Sequence, residues 1–231
     1  MNRKCLLCKR DLDYSLSLAW IFSPDPFKEK FICDDCQSCF QRIDGPTCMG
    51  CGRMCASQYC ADCVRWRKVG KPLLDNQALY CYHNEAMRDY FEQYKFAGDY
   101  YLRKVFQAEF QQFIRQKYPQ RKWKYCIIPV DQQTMVSERG FNQVKGLTAS
   151  LKTGQWLEMD DDRHQVKQSH KNRTERMQTQ QPFILKSPAK VKNQFVVLID
   201  DIYTTGRTLY HAQDLLLKAG ATEVRSVTLA R

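Results

Sequence analysis

Two adjacent acidic residues at the end of an apolar run are the first chemistry legible in this chain. Residues 196–199 read Val-Val-Leu-Ile and are followed directly by Asp200 and Asp201; Ile202 and Tyr203 then lead into Thr204, Thr205, Gly206, Arg207 and Thr208. A short continuous apolar run is the pattern of a buried parallel strand. It delivers both carboxyl groups at its carboxyl end, where open α/β sheets bind ligands. The chain then turns through Thr204, Thr205 and Gly206 into a helix expected over 206–218, with Leu209, Leu215 and Leu216 on its apolar face and Gly220 as its stop. Backbone N–H groups and threonine hydroxyls at the start of that helix, aided by its dipole, make a phosphate cradle. The acids would face ribose hydroxyls, directly or through Mg2+, which prefers oxygen ligands. An ordinary strand–turn–helix is the alternative; the full ordered pattern, rather than a lone Asp-Asp, argues against it.

The cysteines are the second signal. Of 12 in the chain, ten precede residue 64, and eight of those form four Cys-x-x-Cys pairs: Cys5/Cys8, Cys33/Cys36, Cys48/Cys51 and Cys60/Cys63. Two intervening residues let one tight turn direct both sulfurs at a single tetrahedral metal, so four pairs make two structural Zn2+ sites. Disulfides would need an oxidising compartment, to which nothing in the sequence points. Redox Cys-x-x-Cys pairs are normally single and lie beside a βαβ unit. Pairing in chain order gives Cys5/Cys8/Cys33/Cys36 and Cys48/Cys51/Cys60/Cys63; a cross-brace would interleave them. Chain order is preferred because the second loop, 52–59, is short and Gly50 and Gly52 flank Cys51. Cys39 continues the spacing of Cys33 and Cys36 and could replace a neighbour, and Cys55 is spare. Four thiolates leave no open coordination position, so both sites would be catalytically inert.

The elements that must position these groups follow from periodicity. Gly70-Lys71-Pro72 reads as a linker, dividing a zinc-binding module (1–70) from a second domain (71–231). A strand is expected over 78–82, then a helix capped by Asn84 with Met87, Tyr90, Phe91 and Tyr94 at helical spacing, stopped at Gly98. A second helix carries Leu102, Val105, Phe106, Phe110, Phe113 and Ile114 and ends near Pro119. Further elements are a strand over 125–128 closed by Pro129, a helix over 142–151, and a last strand over 224–229. Strands alternating with helices imply a parallel α/β sheet. Residues 160–181 are polar without usable periodicity, and a mobile functional loop over about 160–182 is expected.

These pieces resemble a known family. The stretch 196–208 looks like the phosphoribosyl pyrophosphate (PRPP) loop of type I phosphoribosyltransferases. Ile128-Pro129-Val130, Ser137-Glu138-Arg139-Gly140-Phe141-Asn142-Gln143, Tyr94-Lys95-Phe96-Ala97-Gly98-Asp99 and the paired cysteines ahead of them resemble the competence protein F (ComF) family across essentially the whole chain. The resemblance implies a type I phosphoribosyltransferase-like parallel sheet flanked by helices behind a four-cysteine zinc module. It implies a PRPP or phosphate pocket of Asp200, Asp201, Thr204, Thr205, Gly206 and Thr208, with Lys95 and Arg139 as basic groups near pyrophosphate or DNA backbone. Tyr203 stands where smaller residues are common in such loops and is expected to narrow the mouth; no base-reading hood is evident. Implied too is single-stranded DNA handling during natural transformation, beside an ATP-driven competence helicase encoded in the same operon. The rival implication is an active Mg2+-dependent phosphoribosyltransferase of unknown base.

Charge supports a polyanionic partner. Lys and Arg number 36 against 25 Asp and Glu, a formal charge of +11. Residues 1–70 carry 11 basic and 8 acidic residues, and residues 71–231 carry 25 and 17. Eight thiolates and two Zn2+ would take the whole to about +7 and the zinc module to about −1. The surplus therefore belongs to the second domain, and the near-neutral module suits protein contacts. Two basic runs could follow a DNA backbone. One is the lid-like loop with Arg163, Lys167, Lys171, Arg173 and Arg176. The other, 115–124, interleaves Tyr118 and Trp123 with Arg115, Lys117, Arg121, Lys122 and Lys124, which reads either as a stacking surface for single strands or as a solvated helix end. The four histidines read as surface residues. With 43% apolar residues the chain can bury a sizeable core, yet its longest aliphatic run is far below the roughly 20 residues of a membrane span. No signal peptide is read at the N-terminus, so a cytoplasmic location, at the inner face of the DNA-uptake machinery, is expected.

Overall fold

A computed structural model describes residues 4–12, 29–68, 70, 72–130, 140–160 and 181–231. In chain order its elements are α1 (Asp34–Ser38), α2 (Ala61–Lys68), β1 (Asn76–Tyr80), α3 (Glu85–Phe91), α4 (Arg103–Lys117), β2 (Trp123–Ile127), α5 (Gln143–Leu147), β3 (Thr153–Gly154), β4 (Leu157–Met159), β5 (Phe183–Leu185), β6 (Phe195–Ile202), α6 (Arg207–Lys218) and β7 (Glu223–Ala230). Five strands form the expected parallel sheet in the order β1-β7-β6-β2-β3. A separate antiparallel pair joins β4 to β5, with Glu158 opposite Ile184.

Strand alternation sorts the core into two layers. Val197 and Ile199 of β6 face the layer built by α3, α4 and α5, where Phe106 meets Phe40, Tyr80 and Tyr90 at ring-centroid distances of 4.9, 4.9 and 4.8 Å. Val196 and Leu198 face the layer that holds Leu209, Ala212 and Leu216 of α6. Each layer also receives one group of cysteines. Cys5 packs with the α3–α4 side, and Cys48, Cys51, Cys60 and Cys63 pack with the α6 side.

Local chemistry explains the boundaries. Asn84 Oδ1 accepts from Met87 N at 3.1 Å and Asn142 Oδ1 from Lys145 N at 2.8 Å, capping α3 and α5. Helix α5 ends at Leu147, short of the expected 151, because Thr148 folds its hydroxyl back onto the Val144 carbonyl at 2.8 Å. β1 begins two residues early, since Asn76 already pairs with Ser226. The β4–β5 pair and the two-residue β3 were not expected at all. In the 115–124 run, Tyr118 and Trp123 are buried and pack edge-to-face at 5.3 Å, so the aromatics belong to the core and not to a stacking surface. Among the described residues no helix is long and apolar enough to cross a membrane.

Candidate functional site

β6 runs three residues past its apolar stretch, and this creates the site. Its pairing with β2 ends at Ile199, whereas its pairing with β7 continues through Asp200 and Ile202. The two acids thus stand within the sheet, held by β7 on one edge and beyond the paired end of β2 on the other. Asp201 is almost fully buried, and its Oδ2 lies 2.7 Å from Lys95 Nζ, itself mostly buried. Lys95 arrives on a π-helical turn, Glu92–Phe96, that continues α3 directly. Such turns recur at functional sites because the extra residue redirects a side chain. Asp200 accepts the Asp201 N–H at 2.9 Å. Burial, and then the Asp201 charge, push the Asp200 carboxyl up to about 7, against the pull of Lys95.

Thr204, Thr205 and Thr208 are exposed around the start of α6. Gly206 precedes the helix with φ 76°, and a Cβ there would lie 2.2 Å from the Tyr203 hydroxyl. Glycine is thus demanded twice, by backbone conformation and by space. The same contact corrects the expectation for Tyr203. Its ring is buried beneath the loop, with the Arg231 guanidinium 4.6 Å from its centroid, and does not narrow the mouth.

Beyond the end of β2 lies a cavity of about 290 Å³ whose lining includes Pro129, Val130, Asn142, Lys145, Glu158 and Lys186. Lys186 closes one wall by pairing with Glu158 at 2.6 Å. Next to its Asn142–Lys145 wall is an aromatic and basic surface. Tyr100 packs on Phe141 at 4.8 Å under Arg103 (3.9 Å), and Tyr101 lies under Lys104 (4.5 Å). Both tyrosines are largely exposed, at 42% and 50%. The signal for this surface, an aromatic pair followed by Arg103-Lys104, stands in the sequence, where it overlaps the helical stripe that begins at Leu102. Arg139, Lys167, Lys171, Arg173 and Arg176 lie outside the described residues, as does nearly all of the expected 160–182 loop.

The cysteines assemble in chain order, not as a cross-brace. Within Cys5/Cys8/Cys33/Cys36 and within Cys48/Cys51/Cys60/Cys63 all ligand sulfurs lie within 4.8 Å of one another, and each group can hold a metal ion. Neither Cys39 nor Cys55 belongs to a group; Cys39 donates to the Asp35 carbonyl instead. In the second cluster all four cysteines are buried. Gly52 turns its knuckle at φ 70°, where a Cβ would strike the Asn76 carbonyl oxygen at 2.5 Å.

Comparison with known proteins agrees with this arrangement. Residues 157–231 match the phosphoribosyl transferase domain model, the segment that carries β6, the loop and α6. Over 99% of its length the chain is 38% identical to the competence protein ComFC of Streptococcus pneumoniae, all of which is covered. It is 34% identical to the competence protein ComFC of Bacillus subtilis over 98% of this chain and 94% of that one. Competence protein F of Haemophilus influenzae is 26% identical over 100% of this chain and 97% of its own length. With its phosphoribosyltransferase sheet, its loop and its two cysteine clusters, the chain belongs to the ComFC family of competence proteins.

Proposed function

We propose that this protein handles single-stranded DNA during natural transformation, holding ribose and phosphate groups at the 200–208 loop. The observation that supports this most is the acid pair standing past the end of β2 beside a threonine-rich loop that opens into α6. Thr204, Thr205, Gly206 and Thr208 offer hydroxyls and N–H groups to phosphate, and Asp200 and Asp201 meet ribose hydroxyls. Lys95 holds Asp201 in place, and Arg139 with Lys167, Lys171, Arg173 and Arg176 supplies positive charge toward the DNA backbone. Tyr101 presents an exposed ring to a base, as single-strand binders do. The relatives' name supports a place in competence, in the cytoplasm at the inner face of the uptake machinery, with the competence ATPase of the same operon as a partner.

Both clusters fit Zn2+. A tetrahedron of four thiolates at about 2.3 Å places its sulfurs roughly 3.8 Å apart. Cys8 and Cys33 stand at 3.7 Å, and Cys51 and Cys60 at 3.6 Å.

Fluorescence anisotropy with a labelled oligonucleotide tests the reading. Affinity should fall steeply between 50 and 200 mM salt, as phosphate contacts require. Tyr101→Ala should weaken binding about fivefold or more, the effect of losing one stacked base. PRPP with Mg2+ should compete for the strand. Absence of binding at low salt would sink the proposal.

The cavity favours one rival, an active Mg2+-dependent phosphoribosyltransferase whose acceptor base sits between Asn142 and Glu158. There Lys95 or Arg139 would neutralise the leaving pyrophosphate. A screen of bases for pyrophosphate release, abolished in Asp201→Ala, would select the enzyme.

A further inference from the structure

The second cysteine cluster is tied to the ligand loop through two side chains, Arg231 and Trp66. Arg231 is buried, and its Nη2 donates to Cys51 Sγ at 3.3 Å. Its Nη1 donates to the carbonyls of Tyr203 at 3.3 Å and Thr204 at 3.1 Å. Trp66, on α2 just after the ligand Cys63, donates its indole N–H to the Thr205 carbonyl at 3.3 Å and lays its ring on Tyr210 of α6 at 4.4 Å. Three consecutive carbonyls of the loop, those of Tyr203, Thr204 and Thr205, are therefore drawn toward the cluster.

Peptide planarity gives this a consequence. In a trans peptide the C=O of one residue and the N–H of the next point in opposite directions. Holding the carbonyls of 203, 204 and 205 toward the metal turns the N–H groups of Thr204, Thr205 and Gly206 the other way, toward the ligand side. Successive N–H groups turned to one side form an anion-binding concavity. The thiolate of Cys51, when it carries a metal, remains an acceptor for a guanidinium, and such outer contacts fix the groups around a metal site.

We propose that the second cluster is the anchor that sets the phosphate-binding shape of the loop, with Arg231 and Trp66 as the positioning residues that transmit it. Metal occupancy at Cys48, Cys51, Cys60 and Cys63 thereby governs ligand affinity at a loop that supplies none of its ligands. The inference rests on the reading that this loop takes phosphate-bearing ligands.

The test compares the full-length protein with Arg231→Gln, Arg231→Lys and Trp66→Phe. Metal content is measured first, then amide hydrogen exchange at the two ends of the loop, where the Tyr203 N–H donates to the Ala230 carbonyl at 2.9 Å and the Tyr210 N–H to the Gly206 carbonyl at 2.8 Å, then calorimetric affinity for PRPP with Mg2+. Two metal ions per chain should remain in every variant. Arg231→Gln should raise loop exchange and weaken PRPP about tenfold, Trp66→Phe about threefold, and Arg231→Lys should recover part of the loss by reaching one carbonyl. A general loss of packing would not be rescued by lysine. Unchanged exchange in both Arg231→Gln and Trp66→Phe, with metal retained, would overturn the proposal. If the wild-type protein takes up no PRPP, the ligand reading fails and loop exchange alone decides the coupling: faster exchange upholds it and unchanged exchange refutes it.

Discussion

Cys51→Ser should remove the metal of the second cluster and take most of the fold's stability with it. Serine is a poor ligand for the ion a four-thiolate site selects, and three remaining cysteines hold it far more weakly. Structural Zn2+ contributes about 10–16 kcal/mol in small zinc modules, while a whole domain is stable by only about 5–15 kcal/mol. The second cluster is also no appendage. Its four cysteines share a core with Leu74, Val196, Leu198, Tyr203 and Leu209, and the Cys51 carbonyl accepts from Asn76 Nδ2 at the start of β1. Loss of the metal therefore opens the part of this face that α6 does not cover and exposes the core around Leu74 and Tyr203. Cys8→Ser in the first cluster should do less. Cys8 is exposed, and α3 and α4 still cover that face through Tyr90, Phe106 and Phe110. Thermal melting with metal stoichiometry on the two variants checks the ordering. A Cys51→Ser protein that melts within about 3 °C of wild type would refute it.

The sequence carried the fold where local rules and tertiary demands agree. β6 was legible because both its faces are buried, so every residue from Val196 to Ile199 is apolar. Asn84 and Asn142 were legible as caps because a side-chain oxygen serves the helix end regardless of surroundings. The cysteine grouping was legible because metal geometry constrains spacing. β3 and the β4–β5 pair were not, since strands of two or three residues show no period. Asp200 and Asp201 stand at the carboxyl end of β6 as expected, followed only by Ile202; what the sequence did not show is that β2 stops pairing earlier than β7, which no single segment can announce. Arg231 was invisible for the same reason. It acts on Cys51, 180 positions away, and only the sheet order brings β7 back against the cluster. Tyr118 and Trp123 read as a stacking surface or as part of a solvated helix end, and both readings of the rings fail because each is buried against the other in the core.

Asp200→Asn should stabilise the unliganded protein above neutral pH while weakening its hold on ligand. The Asp200 carboxyl is raised from 3.8 to about 7, first by burial and then by the charge of Asp201. In the unfolded chain the group loses its proton near its ordinary value; in the folded chain it keeps the proton until about 7. Stability is fully present below the lower value, is lost as pH rises between the two, and stays lost above the higher one. Asparagine carries no charge in either state, and its side-chain oxygen can still accept the Asp201 N–H. The melting temperature of Asp200→Asn minus that of wild type should therefore climb from pH 5.5 to 7 and level off above 7, reaching several degrees. Taking the difference cancels the titration of the cysteine clusters, which both proteins share. A constant difference across that range would refute the assignment. Affinity for PRPP with Mg2+ should fall in the same variant, because the amide cannot supply the anionic oxygen a divalent cation selects. A carboxyl that costs the empty protein stability is what a site built for a ribose or a cation would retain, since the ligand supplies the partner that the fold withholds.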